Sequence, residues 1–155
     1  MKLELVPFGP DSDVAALVDE ITPAYRGDAE TPRAIFAQTI DLLARDPRPD
    51  PWGSYLARRD GTYVGTCAFK SAPDAEGRVE IAYSTFPVRE GQGYATAMAG
   101  LLTGIALEGG VHLVIAHTLP EENASNRCLR RNGFTFAGEV NDPEDGLVWR
   151  WEKRA

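Results

Sequence analysis

Cysteine is scarce in this sequence: Cys67 and Cys128 are the only two, and neither sits at a zinc-ligand spacing from a histidine. Two cysteines exclude a disulfide framework. Cys67 falls in a strand pattern and Cys128 in a helix pattern, so core packing is the expected role of both. Histidine is equally rare, with only His112 and His117, and no metal is expected. No apolar run nears the ~20 residues that cross a bilayer. The opening MKLELVPFG lacks the apolar centre of a signal peptide. A cytoplasmic protein without a membrane partner is therefore expected. Basic charge is also short, with 16 Lys and Arg against 23 Asp and Glu, for a net charge of −7. The basic face of a nucleic-acid binder is missing. An acidic surface suits a cationic acceptor, such as an amine or basic peptide, and serves solubility equally well.

What is present fits one well-filled core. At 155 residues the chain is short for two domains, and a single domain over 1–155 is expected, as a monomer or homodimer. Lys2 to Pro7 alternates as a strand. Asp11, Ser12 or Asp13 can cap a helix through Glu20, and Thr31-Pro32 starts a second that runs to about Arg45. From Ser54 the period becomes two: SYLARR, Asp60-Gly61 and TYVGTCAFK form a hairpin. A turn near Pro73 to Gly77 leads to the alternating strand Val79 to Phe86. A helix from Tyr94 carries Tyr94, Met98, Leu101, Leu102 and Ile105 on one side and ends at Gly109-Gly110. Val111 to Ala116 reads as a strand covered on both faces. A short helix from about Asn123 to Arg131 and a terminal hairpin, Phe134 to Val140 and Leu147 to Trp151, complete the chain.

The densest signal is the turn Gly91-Gln92-Gly93 between the Val79 strand and the Tyr94 helix. Glycines let a ligand approach the backbone, and the first amides of a helix lack internal partners, so this turn suits a phosphate or pyrophosphate. A nucleotide triphosphatase loop would need Lys and then Ser or Thr after the second glycine, where Tyr94-Ala95 stands. A dinucleotide fingerprint would need Gly or Ala at Thr96 and an acidic end to the next strand, which closes on His117-Thr118. That leaves the dinucleotide reading weak, and a third reading is acyl-coenzyme A: the strand, Pro87 and GQGYAT resemble the cofactor motif of the GCN5-related N-acetyltransferases. TLPEENASNRCLRRNGFTF, Thr118 to Phe136, is similar to the carboxy-terminal motif of the subfamily that acetylates ribosomal-protein amino termini. The resemblance covers roughly Gly53 to Trp151.

That resemblance implies an α+β fold. Its central twisted sheet is mostly antiparallel with helices on both faces, and a splayed strand pair admits acetyl-coenzyme A. It implies cofactor contacts from Gly91, Gln92, Gly93, Tyr94, Ala95 and Thr96 to the pyrophosphate. Thr85, Phe86 and Val88 around Pro87 belong to the same set, where the family's strand bulges and presents amides to the pantetheine arm and thioester carbonyl. Asn126 is a further polar candidate facing that arm. Ser125 matches a serine near the sulfur and is the candidate donor to the departing thiolate, with helix capping as its alternative role. Glu80 matches the position of acidic residues that deprotonate the amine, and Ala82 and Ser84 on its face leave room for a substrate. Two departures stand out: Glu90 where the family has Arg or Gln, and Glu122 where the subfamily has Asn. Arg89, Arg127 and Arg130 are available to compensate. Tyr25, Trp52 and Tyr83 either line the acceptor pocket or join the core, and His117 is expected to pack in the core or at the rim. The implied activity is acetyl transfer from acetyl-coenzyme A to a primary amine, on a protein amino terminus or a small molecule, by direct attack and without a metal. The alternative is a non-catalytic coenzyme A-binding sensor or partner module.

Overall fold

The structure is a computed structural model that describes residues 1–155. Its elements are β1 (Glu4–Phe8), α1 (Val14–Ile21), α2 (Glu30–Arg45), β2 (Ser54–Arg59), β3 (Thr62–Phe69), β4 (Arg78–Thr85), α3 (Tyr94–Glu108), β5 (Leu113–Thr118), α4 (Ala124–Arg131), β6 (Thr135–Asp142) and β7 (Gly146–Arg154). Single 3-10 turns at Thr22–Tyr25 and Pro87–Arg89 extend this order. The seven strands form one sheet in the order β1-β2-β3-β4-β5-β7-β6. Only the central β4–β5 pair is parallel. The α+β layout that the resemblance implies is the one observed.

Local chemistry sets the element ends. Asp13 caps α1 by accepting from the Ala16 N–H at 3.1 Å. At α2 the expected cap, Thr31, lies inside the helix. Asp28 instead accepts from the N–H groups of Glu30 and Thr31, because its carboxylate precedes the first turn. Asp60, with φ 50°, and Gly61, with φ 80°, make the tight turn between β2 and β3.

Two apolar cores share the sheet. One lies under α3 and α4 and gathers Val79, Ile81, Met98, Leu102, Leu129 and Trp151. The other lies under α1 and α2 and gathers Phe8, Val18, Phe36, Leu56 and Phe86. Met98 and Leu102 are fully buried, each contributing about 1.5–3 kcal/mol. The buried side of α3 includes Tyr94, Met98 and Leu102 as expected, but it is centred differently. It runs through Ala99, Thr103 and Ala106, while Leu101 is 37% exposed. Small side chains let α3 lie close to the sheet, and Gly65 of β3 takes this furthest. A Cβ there would stand 2.8 Å from Met98 Cε and 2.5 Å from the Ser84 carbonyl oxygen.

Candidate active site

Pairing between β4 and β5 stops at Ile81 and Ala116, although β4 runs on to Thr85 and β5 to Thr118. The strands therefore part at one end. Along β4, Glu80 and Phe86 bond toward β3, through Lys70 N–H to Glu80 O at 2.9 Å and Phe86 N–H to Val64 O at 2.9 Å. Backbone groups alternate sides along a strand. Tyr83 and Thr85 therefore turn theirs toward the parted side, beyond the last rung to β5. This corrects the expectation for Phe86: its amide is bonded to Val64 and its ring is buried in the core beside Tyr25. The register between β3 and β4 runs unshifted from Gly65–Thr85 to Phe69–Ile81, so the expected bulge is absent.

The parted end opens into a cleft of about 580 Å³. Its walls include Thr85, Gly91, Gly93, Tyr94, Ala95 and Thr96 on one side and Ser125, Arg127, Cys128 and Arg131 on the other. Gly91 and Gly93 have φ of 77° and 84°, a left-handed backbone that a Cβ would strain. The first bond back into α3 runs from Ala97 N–H to Gly93 O, so the N–H groups of Tyr94, Ala95 and Thr96 precede the helix ladder. No carboxylate occupies the first turn of α3. Together these make a site for a phosphate or pyrophosphate. Glu90 is on this wall and opposes an anion, but Arg127 and Arg131 face it across the cleft. Gln92 and Val88 lie outside the lining. The Gln92 side chain instead meets the Arg89 carbonyl and the Tyr94 hydroxyl, both at 3.4 Å.

On the α4 side, Ser125 is not the cap. Asn123 caps α4 by accepting from the Asn126 N–H at 3.2 Å. Ser125 Oγ lies 3.0 Å from the Tyr83 hydroxyl across the cleft. Burial, partly offset by that bond, pushes the Tyr83 phenol up to about 12, so it keeps its proton at neutral pH. Thr96 spends its hydroxyl on Cys128 Sγ at 3.1 Å. Asn126, expected to face the cofactor arm, is fully buried and donates to the Glu121 carbonyl at 2.7 Å. It braces the loop before α4 and does not line the cleft. Glu122 faces Arg130, which holds its carboxyl below the usual range, and Arg130 also lies over the Trp151 ring at 5.0 Å. The second cleft arginine is therefore Arg131, which the sequence reading missed.

On the opposite face of the sheet a smaller pocket of about 160 Å³ lies beneath α2. Phe8, Ile35, Phe36 and Thr39 form one wall and Thr66, Ala68, Ala82 and Ser84 another. Tyr83 and Ser84 are common to both cavities. Of Tyr25, Trp52 and Tyr83, only Tyr83 reaches either one; Trp52 packs edge-on against Phe69 at 5.0 Å. Strand alternation was the available signal for Tyr83, since it puts Tyr83 opposite the face of Glu80, Ala82 and Ser84.

Glu80 lies one step beyond Ala82 on the same face. Its carboxylate is 3.3 Å from Lys70 Nζ and 3.2 Å from His117 Nδ1, and Asp142 Oδ1 is 3.8 Å from that nitrogen. Burial alone would lower the Lys70 pKa, but Glu80, Asp145 and Glu144 outweigh it and hold the ammonium above its ordinary value. Asp142 is held low, foremost by the Asp145 N–H it accepts. No helix is long and apolar enough to cross a membrane.

The profile of the acetyltransferase (GNAT) domain matches residues 2–135. No curated protein matches the chain. Among solved structures, RimL, the ribosomal L7/L12 alpha-N-protein acetyltransferase in complex with coenzyme A, superposes with a TM-score of 0.71 at 22% identity. That match covers 99% of this chain and 94% of RimL. The Salmonella typhimurium acetyltransferase that modifies the N-terminal serine of L7/L12 gives 0.69 at 22% identity, covering 100% and 96%. The aminoglycoside acetyltransferase AAC(6')-Ib with coenzyme A gives 0.74 at 18% identity, covering 99% and 95%. At these identities the likenesses establish the fold, and the domain profile carries the family. Matched over most of its length, the chain belongs to the GNAT acetyltransferases, the N-acetyltransferases that draw on acetyl-coenzyme A.

Proposed function

We propose that the chain transfers the acetyl group of acetyl-coenzyme A to a primary amine by direct attack. The observation that carries this reading is the wall shared by the two cavities. A thioester reaching down the cleft and an amine rising from the smaller pocket meet at Tyr83 and Ser84. Gly91 to Thr96 hold the pyrophosphate. The N–H of Tyr83 or Thr85, beyond the last rung to β5, supports the oxyanion of the tetrahedral intermediate.

Attack needs a neutral amine. At pH 7 deprotonation costs about 1.4 kcal/mol for an α-amino group and about 4.6 kcal/mol for a lysine-like amine. Glu80 supplies the base. It stands four residues from Ser84, about 13 Å along the strand, so the proton crosses ordered water. The C–S bond then breaks toward Ser125 Oγ and the Tyr83 hydroxyl, which donate to the departing thiolate. A covalent enzyme intermediate is not part of this scheme. Burial pushes the Cys67 thiol up to about 12, and Cys128 already accepts from Thr96. Glu122, bound to Arg130, does not disturb the cleft, which weakens the reading of a coenzyme A-binding module without turnover.

The similar proteins named above act on a ribosomal-protein amino terminus or on aminoglycosides, and both acceptor classes belong in the test. Release of free coenzyme A thiol is followed over a panel of amino-terminal peptides, aminoglycosides and polyamines. Amine-dependent thiol release is expected. Tight acetyl-coenzyme A binding without turnover on any amine would instead support the binding module.

A further inference from the structure

Three strands far apart in sequence each bring one side chain with a metal-binding donor to the same face of the sheet. These are Glu80 from β4, His117 from β5 and Asp142 from the end of β6. One donor atom from each lies within 4.8 Å of the others. The separations from His117 Nδ1, 3.2 Å to Glu80 and 3.8 Å to Asp142, suit donors that share one ion. Bonds of about 2.0–2.2 Å at tetrahedral angles put neighbouring donors about 3.3–3.6 Å apart.

Two observations set this cluster apart from an ordinary ion pair. First, both His117 ring nitrogens are buried without a hydrogen-bond partner, so the 3.2 Å approach to Glu80 is not a directed N–H bond. Buried polar atoms are almost always satisfied, and a ring nitrogen beside two carboxylates is satisfied by a cation. Second, three carboxylates, Glu80, Glu144 and Asp145, meet one ammonium, Lys70, and the fourth, Asp142, faces His117 instead. Lys70 Nζ is already 3.7 Å from both Glu144 and Asp145, so it keeps partners when Glu80 is engaged elsewhere.

We propose that Glu80, His117 and Asp142 form a divalent-cation site of the zinc type, and that a cation held there withdraws Glu80 from the amine and stops turnover. One imidazole with two carboxylates suits Zn²⁺; Mg²⁺ and Ca²⁺ prefer oxygen alone. Glu80 and Asp142 keep 22% and 14% of their side chains exposed, which gives the ion a path in. The binding half of this inference stands on the geometry. The inhibition half rests on the reading of Glu80 as the base.

Metal-free protein is titrated with Zn²⁺ against a chromophoric chelator, as wild type, His117→Gln, Asp142→Asn and the double variant Cys67→Ser/Cys128→Ser. One ion per chain is expected. It should bind at least tenfold more weakly to His117→Gln and Asp142→Asn, and equally well to the cysteine variant. Asparagine keeps an oxygen for the Glu144 and Asp145 N–H groups that Asp142 now accepts from, and unchanged acetyl-coenzyme A binding reports that each variant is folded. No stoichiometric binding by wild type, undiminished binding by both ligand variants, or loss in the cysteine variant overturns the site. In turnover, Zn²⁺ should inhibit wild type in competition with the amine, and Asp142→Asn at least tenfold less. Bound zinc without inhibition overturns the blockade of Glu80. A chain that binds zinc at these residues but acetylates no amine refutes the transfer reading and leaves the metal site standing.

Discussion

The cleft under α3 and α4 and the pocket under α2 share Tyr83 and Ser84 but are made of opposite materials. The cleft, about 580 Å³, is walled by glycine backbone, hydroxyls and two arginines, and the N–H groups of Tyr94, Ala95 and Thr96 precede the helix ladder there. The pocket, about 160 Å³, is walled mainly by apolar side chains, and its carboxylate stands at the edge, already paired with Lys70. A polyanionic, invariant cosubstrate is best held by fixed backbone dipoles, which need no reorganisation on binding. An acceptor is selected by shape and by the cost of removing its proton. The two sides should therefore fail differently when mutated.

The largest expected effect is on the cleft. Gly93→Asp puts a side chain at a φ of 84° and a carboxylate in the proposed phosphate site. The backbone strain alone is about 1–2 kcal/mol, and charge repulsion adds to it. Acetyl-coenzyme A binding by calorimetry should fall more than 100-fold, and undiminished binding would remove the phosphate site from this turn. Ala82→Leu should do the reverse. It fills the small pocket, so turnover on any acceptor should fall about 30-fold or more while acetyl-coenzyme A binding stays within about twofold. Loss of both together would mean that the two cavities are one.

Glu80→Gln should slow transfer most where the amine is protonated. The defect should be large near pH 7, shrink toward the amine's own pKa, and be larger for a lysine-like amine than for an α-amino group. Parallel pH–rate profiles would reduce Glu80 to a positioning residue. The smallest effect is expected at the two hydroxyls that face the departing thiolate. Ser125→Ala and Tyr83→Phe should each lower turnover about tenfold with cofactor binding nearly intact, because their contacts strengthen as the thiolate leaves. With the Tyr83 phenol pushed up to about 12, wild type should show no activity loss from its ionisation between pH 7 and 10. A Tyr83-dependent falling limb in that range would sink the assignment.

The cleft was largely legible in the sequence because its glycine turn and helix start are contiguous, and local φ requirements and unpaired amides are local facts. Phe86 and Asn126 were misjudged for a related reason. Which way an amide or a side chain faces depends on register with β3 and on the path of the Glu121 loop, and neither is written next to those residues. Ser125 and Tyr83 lie 42 positions apart, and the bond between them exists only once α4 folds over β4. The Glu80, His117 and Asp142 cluster has no spacing signature at all, since three separate strands deliver it. Linear motifs reveal what one turn can build, and the sheet assembles the rest.

Gly65 touches no ligand, yet the methyl group it lacks fixes how deeply α3 settles on the sheet. In the proposed reading the first turn of α3 holds one end of the cosubstrate, and β4, against which Gly65 is paired, receives the other. The position is thus a depth gauge between the two ends of a single long molecule. A side chain there would press on Met98 of α3 and on the Ser84 carbonyl of β4, shifting helix and strand relative to each other without adding a group to either cavity. Such a chain would still hold acetyl-coenzyme A, and would present its thioester at the wrong height to the incoming amine.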